Sequence, residues 1–156
     1  MTRSSALALF AIALTTTACR SEKDDFVRMK PEVDPIVSSL TPIAAELERA
    51  KKESAPPSST EPLRLACAAA QKAAADTHFD ILMFRASKAR ASANAFQEAL
   101  TDVATIATPE VSADIMLIGR FDSAACEKAF AKLCVASSEM SAAAKAEGVA
   151  IEPICR

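Results

Sequence analysis

From Glu61 to Ala107 the chain contains no glycine, and after Pro62 it contains no proline either. A run without either breaker residue is compatible with long helix. Alanine strengthens the inference: thirty alanines lie between Ala44 and Ala150, whereas Tyr and Trp are absent and the only glycines are Gly119 and Gly148. Alanine has the highest helix propensity and suits closely packed helices, but each alanine buries little apolar surface. A core built this way is weakly held by hydrophobic transfer, so covalent crosslinks carry more of the load than usual.

A single helix over Glu61 to Ala107 would be about 70 Å long at 1.5 Å per residue, whereas a globule of this size has a radius of gyration of about 14 Å. A break is therefore expected, and the apolar stripe locates it. Leu63, Cys67, Ala70 and Ala74 form one register; Phe79, Leu82, Ala86, Ala89, Ala93, Phe96, Leu100, Val103 and Ala107 form another. The registers change across Asp76, Thr77 and His78, where Asp76 or Thr77 is expected to cap a new helix.

Upstream, Asp34 before Pro35 reads as a cap and first-turn proline, beginning a helix that runs to about Ser54, with Pro42 kinking or restarting it after Thr41. Residues 55–60, with Pro56, Pro57, Ser58 and Ser59, read as a loop. Downstream, Thr108, Pro109 and Glu110 open a short helix ending at Gly119. Asp122 or Ser123 caps a last helix with the stripe Cys126, Phe130, Leu133, Ser137, Met140 and Ala144, and Gly148 ends it. The expected fold is all-α: a small, disulfide-stapled helical bundle over residues 34–156, preceded by a charged tether at 20–33.

Five cysteines occur, at positions 19, 67, 126, 134 and 155. Cys126 and Cys134 are eight residues apart on one predicted helix, about 12 Å along its axis, and a disulfide requires Cα atoms within about 7 Å. They cannot pair with each other. After Gly148 the tail reaches about 24 Å to Cys155 if extended; running back along its own helix it meets Cys134 but stops short of Cys126. The expected pairs are therefore Cys67 with Cys126 and Cys134 with Cys155. Zinc is the alternative use of four cysteines, but the short two-residue spacings of zinc sites are missing.

The fifth cysteine ends a leader. Met1, Thr2 and Arg3 carry one positive side chain, the run Ala6 to Leu14 is apolar, and Thr15, Thr16, Thr17 and Ala18 are small. Nine apolar residues are too few for a spanning helix, which needs roughly 20; the layout is that of a cleaved signal peptide over residues 1–18. Thr16, Thr17, Ala18 and Cys19 resemble the lipobox of bacterial lipoproteins, although Thr16 stands where that family usually has an aliphatic residue. The resemblance implies diacylglycerol on the Cys19 sulfur, usually an acyl group on its amine, and stable attachment to a membrane. Arg20, where Asp would favour the inner membrane, implies the outer membrane of a two-membrane cell, with the domain on its periplasmic face. The alternative is ordinary cleavage after Ala18. Lipidation leaves an even four cysteines, as suits an oxidising compartment.

Chemistry is sparse. Without Arg3 there are 17 basic and 20 acidic residues, interspersed, which gives no nucleic-acid footprint. His78 is the sole histidine, flanked by Asp76 and Asp80; a general-acid or metal role is conceivable there, but a place at a helix break points to capping or surface. With one His and no Tyr, a nucleophile–base triad has almost no material, and two glycines cannot build a phosphate loop. Arg85, Lys88 and Arg90 read as a solvated face, Glu48 and Lys52 as a helix-supporting pair, and Phe79, Met83, Phe84 and Phe96 as core. No catalytic residue, metal or cofactor is indicated. The expectation is a non-catalytic, lipid-anchored envelope protein that acts structurally or by binding a protein partner. Inhibition of a toxic periplasmic enzyme and carriage of a small ligand between helices are the alternatives.

Overall fold

A computed structural model describes residues 21–53, 61–106 and 122–155. The leader with Cys19, the expected loop at 55–60 and the expected short helix ending at Gly119 lie outside them. The described residues form an all-helical bundle: α1 (Glu22–Glu53), α2 (Glu61–Ala75), α3 (Ser87–Ala104) and α4 (Ser123–Ala146), with a single 3₁₀ turn at Ile81–Met83. Helices adjacent in sequence pack against each other. On the α3–α4 face Lys132 takes Glu98 and Asp102 at 2.7 and 2.8 Å, while Lys88 meets Glu147 at 3.4 Å; the two helices are therefore antiparallel. Among the described residues no helix is long and apolar enough to cross a membrane.

The tether and the Asp34 start are both corrected. Helix α1 begins at Glu22, and Phe26, Met29 and Val33 are fully buried within the stretch expected to be a tether. Nor does Pro42 restart it: α1 runs through Pro31, Pro35 and Pro42. Each proline removes one N–H and releases the carbonyl four residues earlier, here on Val27, Pro31 and Ser38. The three prolines and these three residues are all exposed, so the released carbonyls lie on the side that water can satisfy. The buried face, Phe26, Met29, Val33, Ile36, Val37, Leu40, Ala44, Leu47 and Ala50, keeps its three-four spacing throughout.

The break after α2 falls at Asp76–His78 as the registers indicated, yet α3 starts only at Ser87. Neither Asp76 nor Thr77 caps it. The intervening segment packs through Phe79 and Phe84, whose rings lie 5.8 Å apart, and Phe79 also meets Phe96 edge-on at 5.8 Å. Leu82, expected in the buried stripe, is 76% exposed, and Met83 is 40% exposed. The 3₁₀ turn, capped by Asp80 through the Leu82 N–H at 3.0 Å, rotates both away from the core.

Helix α4 carries its expected buried stripe, and the Asp122 side chain accepts the Ala125 N–H at 3.0 Å. Its end is a Schellman turn. The Val149 N–H donates to the Ala144 carbonyl at 2.9 Å and the Gly148 N–H to Lys145 at 3.0 Å, with Gly148 at φ 77°, a conformation that L side chains rarely adopt.

Candidate functional site

The Gly148 turn sends residues 149–155 back along α4. The Ser141 hydroxyl donates to the Ile151 carbonyl at 2.6 Å, and the Ser137 hydroxyl accepts the Ile154 N–H at 2.9 Å. Val149, Ile151 and Ile154 are buried. The polar serine on the α4 stripe is thus explained: buried Ser137 satisfies the backbone of a tail that has no strand or helix partner of its own.

Disulfides finish the tail and staple the helices. Cys134 and Cys155 are joined with Cα atoms 5.4 Å apart, and Cys67 and Cys126 with Cα atoms 6.2 Å apart. These are the two pairs to which the spacing argument leads. Cys67 and Cys126 are fully buried between α2 and α4, whereas Cys134 and Cys155 are half-buried.

The tail matters because α1 and α4 do not close against each other. Above Ile154 a groove of about 500 Å³ runs between Thr41, Ala44 and Leu47 of α1 and Phe130 and Ala131 of α4, with the Cys134–Cys155 disulfide in its wall. At its far end Lys51 approaches Glu127 at 3.8 Å and holds Glu48 at 3.0 Å. The expected Glu48–Lys52 pair is therefore replaced by Glu48–Lys51, one residue closer, because Lys51 lies toward α4. The groove is about 15 Å long, the span of Thr41 to Lys51 along a helix.

A second, more open groove of about 630 Å³ lies between α1 and α2, lined by Pro31, Glu32, Pro35, Lys72, Asp76 and His78 among others. His78 and Asp76 share this wall, whereas Asp80 does not line it and its carboxylate accepts the Leu82 N–H. Among the described residues no group of three or more His, Cys, Asp or Glu is placed to hold a metal ion. Arg85, Lys88 and Arg90 are exposed, and Lys88 pairs with Glu147.

Sequence reasoning missed the polar junction that positions these elements. Ala86 occupies the N-cap of α3 and has no side chain able to cap it. The caps come from α1: Glu22 accepts the N–H groups of Lys88 and Ala89 at 3.0 and 2.9 Å and the Ser87 hydroxyl at 3.1 Å. Fully buried Asp25 accepts the N–H groups of Arg85 and Ala86, both at 2.7 Å. At the other end of α3, Gln71 of α2 donates to the carbonyls of Ala104 and Ile106 at 3.2 and 2.6 Å. The Lys88, Ala89 and Ser87 donors hold the Glu22 carboxyl below the usual glutamate range, the Lys88 N–H most of all, against an opposing effect of burial. No family model, curated protein or solved structure matches the chain.

Proposed function

We propose that this chain is an envelope lipoprotein, anchored through Cys19 on the periplasmic face of the outer membrane, whose bundle works without catalysis by holding an apolar-faced peptide segment of another envelope protein in the α1–α4 groove. The observation that carries the reading is the tail. Residues 149–155 already lie as a peptide along α4, burying Val149, Ile151 and Ile154 while serine hydroxyls satisfy the backbone, and the groove continues beyond them. A further segment of the same chemistry would extend that arrangement, an apolar stripe in an apolar groove. The charged group Glu48, Lys51 and Glu127 at the far end would set its register.

The test is site-specific photocrosslinking in intact cells from Ala45 in the groove and from Leu65 on α2. The reading requires one protein adduct from Ala45 that is lost when Ala131 is changed to Arg, and no such adduct from Leu65. Equal labelling from both positions, or an adduct indifferent to Ala131→Arg, contradicts it.

The groove volume of about 500 Å³ favours one second reading, a small apolar ligand, since sites for such molecules span about 300–1,000 Å³. A stoichiometric small molecule in native mass spectra of the purified protein, displaced by Ala131→Arg, would decide for it.

A further inference from the structure

Cys19 precedes Glu22 by three residues, at most about 11 Å of chain. The Glu22 carboxylate is itself fastened to the start of α3, through the Ser87 hydroxyl at 3.1 Å and the Lys88 and Ala89 N–H groups at 3.0 and 2.9 Å. Five residues before Ser87 stands Leu82, the most exposed of the large apolar side chains among the described residues at 76%. The turn that presents it is fixed on both sides: Asp80 caps it at the Leu82 N–H, Phe84 is buried, and Asp25 holds the Arg85 and Ala86 N–H groups at 2.7 Å. Leu82 is thus exposed on a turn fastened beside the start of α1, the described end of the chain nearest in sequence to Cys19. A lone exposed leucine needs no explanation, but one held out beside the point of anchorage does.

We infer that the Ile81–Met83 turn is a membrane-contacting element: Leu82 enters the interface of the bilayer that holds the anchor, with exposed Arg85 at headgroup level. Its consequence is orientation. A lipid at Cys19 alone holds the chain but lets the domain swivel, whereas a second contact beside it fixes which face of the bundle is turned to the bilayer. The inference rests on the lipid anchor proposed above, so its test supplies the anchor chemically.

The chain has no tryptophan, so Leu82→Trp places a sole indole at the turn, and Leu65→Trp places one on another exposed site, on α2. The mature chain, residues 19–156, contains every described residue. With both disulfides formed, its remaining thiol at Cys19 is coupled to a maleimide-bearing phospholipid and inserted into vesicles of phosphatidylethanolamine and phosphatidylglycerol. The expected result is a blue shift of Leu82→Trp emission and loss of most of it to brominated acyl chains, with Leu65→Trp unchanged. Emission from Leu82→Trp that ignores the vesicles, or that shifts only when envelope proteins are added, overturns the inference; so does equal quenching at both sites. The anchor is judged on a different sample, the mass of Cys19 in protein taken from cells, so the two failures are distinguishable.

Discussion

The carboxylate of Asp25 accepts the backbone N–H of Ala86 at 2.7 Å across 61 residues of sequence. With Glu22 one turn earlier it makes the start of α1 the cap of α3, so the start of α3 depends on residues next to the chain's expected point of attachment. Both bonds are part-buried and end on a fully buried carboxylate, so removing it leaves donors that water replaces only in part. Asp25→Ala is expected to lower the unfolding free energy in urea by about 2–4 kcal/mol, and Asp25→Asn, which retains one acceptor, by less. A change within experimental error for Asp25→Ala would contradict the burial and bonding of this group.

Glu22 acts where Ala86 cannot. Its carboxyl is held below the usual glutamate range by the Lys88 N–H first and by Ala89, Ser87 and the Lys88 charge besides. A folded pKa below the unfolded one contributes stability that is complete above the unfolded value and is lost as pH falls through the folded one. The stability difference between the native chain and Glu22→Gln should therefore be full at pH 7 and vanish as pH falls below the ordinary glutamate range. Ala86→Ser, which restores a local cap at a residue already in extended geometry, should recover about 1 kcal/mol in the Glu22→Gln background. A difference that grows on acidification would refute the assignment.

These contacts also mark where the sequence was legible and where it was not. The stripe of α4, its Asp122 cap, its Gly148 stop and the cysteine pairing all follow from local spacing, because each depends on residues of one helix or on reach along it. The start of α3 does not: its acceptors are on α1, and Ala86 gives no local signal. The first twelve residues of α1 were hidden for a different reason. Phe26, Met29 and Val33 do hold the three-four period that continues to Ala50, but dense charge argues locally for a tether and Asp34–Pro35 for a later helix start, and tertiary burial overrides both. The groove was illegible because it is an absence of packing between helices, which no single segment encodes.

The prolines of α1 offer a test in the opposite direction. Pro35 is exposed and lies within a continuous helix. Pro35→Ala restores an N–H to the Pro31 carbonyl and removes a residue about 3 kcal/mol less favourable in a helix interior, part of which the more flexible unfolded chain offsets. An increase of about 1–2 kcal/mol in stability is expected from thermal and urea unfolding; destabilisation would mean that α1 is not helical through this point.

The two disulfides should differ in what they hold. Cys67–Cys126 spans 59 residues and Cys134–Cys155 spans 21, so loop closure in the unfolded chain favours losses of about 4 and 3 kcal/mol on their removal. Replacing Cys134 and Cys155 by Ser should, in addition, speed amide exchange of Ile154 and its neighbours without a matching change in α2. Replacing Cys67 and Cys126 should loosen α2 and the start of α4 while the tail stays protected. Loss of protection across the whole domain in both variants would deny the tail its separate attachment.

If four cysteines pair among themselves, the fifth is free for lipid, and one experiment reads both halves of that statement. Protein isolated from the cell envelope without reduction is measured intact by mass spectrometry and then mapped by peptides. The expected chain begins at Cys19, carries diacylglycerol on its sulfur and an acyl group on its amine, and yields the crosslinked peptides Cys67–Cys126 and Cys134–Cys155. A chain whose Cys19 is unmodified, or is found in a disulfide with any of the other four, would contradict it.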